Sequence, residues 1–265
     1  MPGSGVVVEV QNGVARITLD RPEKRNALTR EMLAELLAAM IRLEQSPGLR
    51  VLVLAARGDD FCSGMDLKQM QEAAALPGAP ARFLADAQTY CDVLTRLVQC
   101  RIPTMAVVQG RALAGGFGLA LACDMVQAAD TAVFSLPEPK RGLVAAIVAP
   151  LLVHRLGIGP ARYLLLSGRP MNARDALRAG ICQGALPSSD ALDAEASCLL
   201  STLLEGGPAA LETTKRLLAS YTVADLPLQM AEAVAISGQA RNSAEAREGL
   251  QAFAEKRNPA WWAPV

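Results

Sequence analysis

Three short stretches hold residue types at spacings that could do chemistry. One is Gly110-Arg111-Ala112-Leu113-Ala114-Gly115-Gly116-Phe117-Gly118, continued by Leu119-Ala120-Leu121-Ala122-Cys123-Asp124. An apolar run at 104–108 precedes it and reads as a buried strand, while strong helix formers without β-branching follow the glycines. A strand that turns through glycine into a helix leaves the first helical N–H groups unpaired at the positive end of the helix dipole. Gly115, Gly116 and Gly118 would let a ligand approach that backbone closely. Such a turn suits an oxygen that becomes negative during a reaction. Tight packing of a helix on a sheet would use the same glycines, and no Lys-Ser or Lys-Thr follows them as in a phosphate loop.

The second stretch repeats the logic upstream. A buried strand at 51–55 runs into Ala56-Arg57-Gly58-Asp59-Asp60-Phe61-Cys62-Ser63-Gly64-Met65-Asp66-Leu67, and a helical pattern starts near Asp66. The third, Phe134-Ser135-Leu136-Pro137-Glu138-Pro139-Lys140-Arg141-Gly142-Leu143, sets one carboxylate between two prolines among apolar neighbours. Desolvation there would raise the pKa of Glu138 and make it a competent base; a surface glutamate beside Lys140 or Arg141 is the plainer alternative on spacing alone.

In this order and spacing the three stretches resemble the crotonase superfamily, the enoyl-CoA hydratase/isomerase fold. The resemblance runs from Arg21-Pro22-Glu23-Lys24-Arg25-Asn26-Ala27-Leu28 to Phe253-Ala254-Glu255-Lys256-Arg257. It implies an α/β protein with a crotonase-like ββα spiral core carrying an acyl-CoA site over 1–190. A helical C-terminal oligomerisation region over 191–265 would follow, in a homotrimer or dimer of trimers. It also implies two backbone N–H donors, at Met65 and Gly115, for a thioester oxygen, and a catalytic Glu138. Lys68, Arg25, Phe253 and Lys256 would contact coenzyme A, which enters as part of the substrate rather than as a cofactor.

One departure matters. Two-carboxylate hydratases of the family carry a second Glu where this chain has Gly118. A lone Glu138 leaves three outcomes open: a one-glutamate hydratase, a Δ3,Δ2-enoyl-CoA isomerase, or a non-catalytic acyl-CoA binder. The stretch 138–150 is similar to bacterial hydratases of 3-branched glutaconyl-CoA thioesters, which favours isohexenylglutaconyl-CoA or 3-methylglutaconyl-CoA, from acyclic isoprenoid or leucine breakdown. Met65, Met70, Phe83, Leu84, Gly118 and Leu143 could line a pocket for the branched tail, although such stripes are commonly plain core. The extra carboxylate of a glutaconyl group would suit Arg or Lys, with Lys140, Arg141 and Arg111 as candidates. His154 sits in an apolar helical run, Cys62 has no histidine neighbour, and Asp66 and Asp124 read as turn caps or buttresses. No metal-ligand cluster is apparent.

Composition narrows the field. Lys plus Arg and Asp plus Glu both total 26 in 265 residues, so no basic excess points to nucleic acid. The six cysteines lack CxxC spacing, which argues for reduced thiols in a cytoplasmic protein without disulfides or structural zinc. Residues 1–13 show no secretory pattern, and no apolar run reaches membrane length.

The elements that must position the three stretches are legible from periodicity. Runs at 6–10 and 14–19 around Asn12-Gly13 predict a hairpin, and Thr29 predicts the cap of a helix ended by Ser46-Pro47-Gly48. Helices are expected over 67–75, 82–100, 116–123, 145–156, 161–166, 172–179, 189–204, 209–219, 226–237 and 243–254, and further strands at 125–129 and 132–135. The Pro/Gly segment 76–80 reads as a mobile loop. Strands and helices alternate through the first half, which predicts a parallel sheet with covering helices.

Overall fold

The computed structural model describes residues 5–222 and 226–261. The extreme ends of the expected 1–190 and 191–265 regions, and the first residues of the 1–13 stretch, lie outside the described residues.

The hairpin forms from β1 (Val6–Gln11) and β2 (Val14–Leu19), paired antiparallel. Asn12 and Gly13 both take positive φ, 51° and 78°, as a two-residue hairpin turn requires. Next come α1 (Arg30–Glu44), β3 (Val51–Ala56), α2 (Leu67–Ala74), α3 (Ala79–Gln99), β4 (Thr104–Val108) and β5 (Arg111–Leu113). They lead into α4 (Gly115–Leu121), β6 (Met125–Ala129), β7 (Val133–Ser135), α5 (Val148–Leu156) and α6 (Ile158–Ser167). The remainder is β8 (Met171–Asn172), α7 (Ala173–Ala179), β9 (Gly184–Leu186), α8 (Ser189–Glu205), α9 (Pro208–Thr222), α10 (Leu226–Arg241) and α11 (Ala244–Ala254).

The main sheet runs β1-β2-β3-β4-β6-β9, parallel from β2 onward. Its central strands are buried on both faces, which is why they read as unbroken apolar runs rather than alternating ones. Leu52 and Leu54 join Ile17, Ala106 and Val108 in the large core under α1, α3 and α4. Val51, Val53 and Ala55 point the other way and pack with Met105 and Val107 against Leu192 and Ala196 of α8. Thus α8, part of the expected C-terminal region, covers a face of the main sheet.

Of the second sheet, β5-β7-β8, only β7 matches an expected strand, at 132–135; β5, β8 and β9 fall outside the expected strands. These strands have only two or three residues, too few to show a period. The expected loop at 76–80 is shorter than read, because α3 begins at Ala79 with Pro80 in its first turn and Gly78 at φ 77° ahead of it. α10 extends to Arg241, a full turn beyond the expected end at 237. It packs along α3, while α11 packs on α2 and on the short 3-10 turn Glu138–Arg141. Among the described residues no helix is long and apolar enough to cross a membrane.

Candidate active site

The glycine turns are stitched to one another by backbone hydrogen bonds. Cys62 N–H donates to the Arg111 carbonyl and Leu113 N–H to the Cys62 carbonyl, both at 2.9 Å. Gly64, at φ 88°, faces the other turn so closely that a Cβ there would lie 2.7 Å from Ala114 Cβ and 3.2 Å from Gly115 N. Only glycine fits that backbone and that gap.

Segment 21–28 fastens the first turn from outside. Ser63 N–H donates to Arg25, Leu28 N–H to Gly64 and Asp66 N–H to Leu28, at 3.0, 2.8 and 2.9 Å. Asn26, fully buried, takes a left-handed backbone and donates its side-chain amide to the carbonyls of Arg57 and Asp60. Arg21 reaches Asp66 at 2.7 Å, and Asp66 in turn caps α2 through the N–H groups of Lys68 and Gln69. What remains inside this brace is the Met65 N–H, which donates to no acceptor among the described residues.

Gly115 opens α4, so its N–H has no intrahelical partner, and none elsewhere among the described residues. Ala114 just before it sits at φ 50°, ψ −122°, a backbone that an L-residue rarely adopts. That strained residue is held by its N–H to Ser135 at 2.8 Å, at the end of β7. β5 and β7 are parallel neighbours, so the same pairing brings the third stretch alongside the other two. Three residues past Ser135 the chain enters the 3-10 turn of Glu138–Arg141, closed by Gly142 at φ 64°. α11 clamps this turn: a Cβ at Gly142 would strike the Glu245 backbone, and one at Gly249 would strike the Arg141 carbonyl.

Met65, Gly115 and Glu138 consequently share one cleft, with Met70, Leu143, Tyr90 and the apolar wall 144–148 around them. Glu138 is the sole carboxylate lining it among the described residues. Its Oε2 is buried without a hydrogen-bond partner. Burial pushes the carboxyl up to about 7, against the weaker downward pull of its own backbone N–H, Arg141 and Arg241. A carboxyl poised there can both take and return a proton near neutral pH.

The space beside Gly118 is already filled. The Tyr90 hydroxyl donates to the Gly115 carbonyl at 2.7 Å, and a Cβ on residue 118 would collide with that hydroxyl and come within 2.8 Å of Val148 Cγ2. A second carboxylate has no room at this place.

Residues 9–264 match the protein family described as Enoyl-CoA hydratase/isomerase. The chain belongs to that family. Named relatives include a candidate enoyl-CoA hydratase of Thermus thermophilus, 37% identical over 96% of this chain and 99% of that one. The carnitinyl-CoA dehydratase of Escherichia coli is 34% identical over 95% and 96% of the two chains. Among solved structures, an enoyl-CoA hydratase/isomerase from Xanthobacter autotrophicus superposes with a TM-score of 0.85 at 34% identity, covering 98% of this chain and 99% of the other. An enoyl-CoA hydratase from Mycobacterium avium gives 0.85 at 30% identity over 98% and 100%. The α/β architecture with its helical C-terminal region is therefore that of the enoyl-CoA hydratase/isomerase family.

Several residues expected around the family's acyl site stand elsewhere. Phe83 is not on the cleft wall; it is buried in a small core with Met70, Leu143 and Leu250, behind the surface a substrate would touch. Leu84 is half exposed and faces Gly238 of α10, because one helical step turns it away from Phe83. Gly118 lies behind Tyr90 rather than on the wall. Of the proposed carboxylate partners, Arg111 is held by Asp60 at 3.2 Å and Lys140 is exposed, while Arg141 lines the cleft with its Nε unpartnered.

Lys68 is exposed and near Glu72 at 3.8 Å, and Arg25 is exposed and near Asp60 at 3.8 Å. Phe253 lies under the Arg141 guanidinium at 5.0 Å, and Lys256 is exposed just past α11. None of these four lines the cleft. Cys62 is buried against the Asn26 carbonyl, and burial pushes its thiol up to about 12, so it is no nucleophile. His154 is exposed on α5, away from the cleft, and Asp124 buttresses β4 through Thr104 and Lys215.

Four residues of consequence are not singled out by the sequence. Tyr90 sits at helical spacing among apolar residues and looks like core. Asn26 is visible only as part of the 21–28 motif. Arg241 and Ser237 lie on α10, remote in sequence from every motif, and both line the cleft.

Proposed function

We propose that this protein hydrates the conjugated double bond of a 3-branched 2-enoyl-CoA of the isohexenylglutaconyl-CoA or 3-methylglutaconyl-CoA type, in acyclic isoprenoid or leucine breakdown. The observation that carries the proposal is a cleft where two amides, Met65 N–H and Gly115 N–H, and one carboxyl oxygen, Glu138 Oε2, have no partner among the described residues.

The ionised Glu138 takes a proton from water as the water oxygen bonds to the β-carbon. The C=C electron pair shifts toward the thioester, and negative charge gathers on the carbonyl oxygen between the two amides. Those donors are fixed before the reaction and stabilise the enolate more than the ground state. Glu138 then delivers the proton to the α-carbon as the enolate collapses, which restores the carboxylate. With Tyr90 in the second-carboxylate place, one group does both transfers.

The apolar wall 143–148 supports a branched tail. Lys68, Arg25, Phe253 and Lys256 are candidate coenzyme A contacts outside the cleft lining, the three basic residues supplying charge for its phosphates. Exposed Ile158, Tyr163 and Leu166 on α6 and Leu228 and Ile236 on α10 support a trimer or hexamer. A cytoplasmic site of action agrees with free cysteines throughout the described residues.

The test is loss of conjugated-thioester absorbance with 3-methylglutaconyl-CoA and isohexenylglutaconyl-CoA, alongside product mass. A gain of one water supports hydration. Turnover without mass change would make the protein an isomerase, and binding without turnover an acyl-CoA carrier.

A further inference from the structure

Five buried side-chain polar atoms lack a partner among the described residues, and three of them belong to residues lining the same cleft: Glu138 Oε2, Arg141 Nε and Arg241 Nη1. Native proteins leave few such atoms, so a cluster of them around a cavity marks a place completed by a ligand. Glu138 is accounted for by the reaction. Arg241 is not.

Arg241 is 8% exposed at the end of α10, with Ser237 one turn earlier on the same face at 5%. Arginine stays charged when buried, and a buried charge without a counter-ion is costly. The groups facing it from neighbouring elements do not supply one. From α3, Asp86 gives both carboxylate oxygens to Arg30, at 2.6 and 2.8 Å. Tyr90, also on α3, spends its hydroxyl proton on Gly115. Glu138 acts on Arg241 only at longer range, since no carboxylate among the described residues comes within ion-pair distance of the guanidinium.

We propose that Arg241, with Ser237 beside it and Arg141 across the cleft, forms a subsite for a carboxylate carried by the acyl group. This rests on the hydratase proposal and specifies its substrate class: thioesters of 2-enedioic acids, with a free carboxylate beyond the branch point. Arg141 and Arg241 come from separate elements, one on the Glu138 turn and one on α10. A carboxylate accepts two parallel N–H bonds from a guanidinium fork, so it fits both the charge and the open donors. A methyl group in the same place would leave the buried donors unpaired, and that difference gives discrimination.

The test compares 3-methylglutaconyl-CoA with 3-methylpent-2-enoyl-CoA, in which methyl replaces the carboxylate, using the full chain. Wild type is expected to favour the carboxylated substrate by at least 100-fold in kcat/KM. Arg241→Met should reduce that ratio by 100-fold or more, chiefly through KM, and Arg241→Lys should restore part of it. A folded Arg241→Met that keeps the wild-type ratio within threefold would overturn the subsite while leaving the hydratase proposal standing. Turnover of both substrates without preference would overturn the subsite and the glutaconyl specificity together, but not hydration.

A binding arm makes the outcome independent of turnover and of the variant's folding. Wild type should bind 3-methylglutaryl-CoA at least tenfold more tightly than 3-methylpentanoyl-CoA. Equal affinities would refute the subsite.

Discussion

The Tyr90 hydroxyl occupies the volume that any side chain on residue 118 would need, and the same hydroxyl holds the Gly115 carbonyl at 2.7 Å. The absence of a second carboxylate is thus built into the packing of α3 against α4. Gly118→Glu should be overpacked and should bury a charge, at a cost of about 3 kcal/mol or more. Thermal melting of the variant checks this, and its activity should fall rather than rise. A variant as stable as wild type would show that the space is open.

Tyr90→Phe keeps the packing and removes one hydrogen bond to the turn that carries the Gly115 amide. The expected stability loss is about 1 kcal/mol. The larger effect should be on kcat, because misplacing an oxyanion donor acts on the transition state. Steady-state kinetics in which only KM changed would contradict this role.

Gly64→Ala tests convergence of the two amides from the other side. A methyl at φ 88° would push into Ala114 and toward Gly115 N. Loss of a correctly placed donor typically costs about 10²–10³ in kcat. Wild-type kcat in a folded Gly64→Ala protein would mean the turns do not need that contact.

The raised pKa of Glu138 has two consequences of known sign. Activity in either direction begins from the carboxylate, so kcat/KM should rise with pH through a midpoint near 7. For stability, a carboxyl lifted from 4.5 to about 7 on folding penalises the folded state progressively as pH rises across that interval, and fully above it. Glu138→Gln should therefore stabilise the protein by up to about 3 kcal/mol at pH 8 and by nothing at pH 4. Denaturant titrations at the two pH values read this directly, and equal effects at both would refute the shift.

Much of this site was legible because its parts are local in sequence. Each glycine turn announces itself between a strand and a helix, and Pro137 and Pro139 flag Glu138. What could not be read is which distant helix closes the cleft. α10 supplies Ser237 and Arg241, yet its sequence carries no period that distinguishes one face, since it is apolar on several. Phe83 and Leu84 suit a pocket by character alone, yet one lies behind the wall and the other outside it. β7 falls within the expected strand at 132–135, but its partner β5, which brings the third stretch into place, holds only three residues and leaves no pattern to detect.

The most direct measurement is turnover of 3-methylglutaconyl-CoA by Glu138→Gln against wild type, with binding of the thioester followed in parallel. One carboxyl moving both protons predicts that the variant still binds but loses about 10²–10⁴ in kcat. A Glu138→Gln protein that hydrates the substrate within fivefold of wild type would contradict the account.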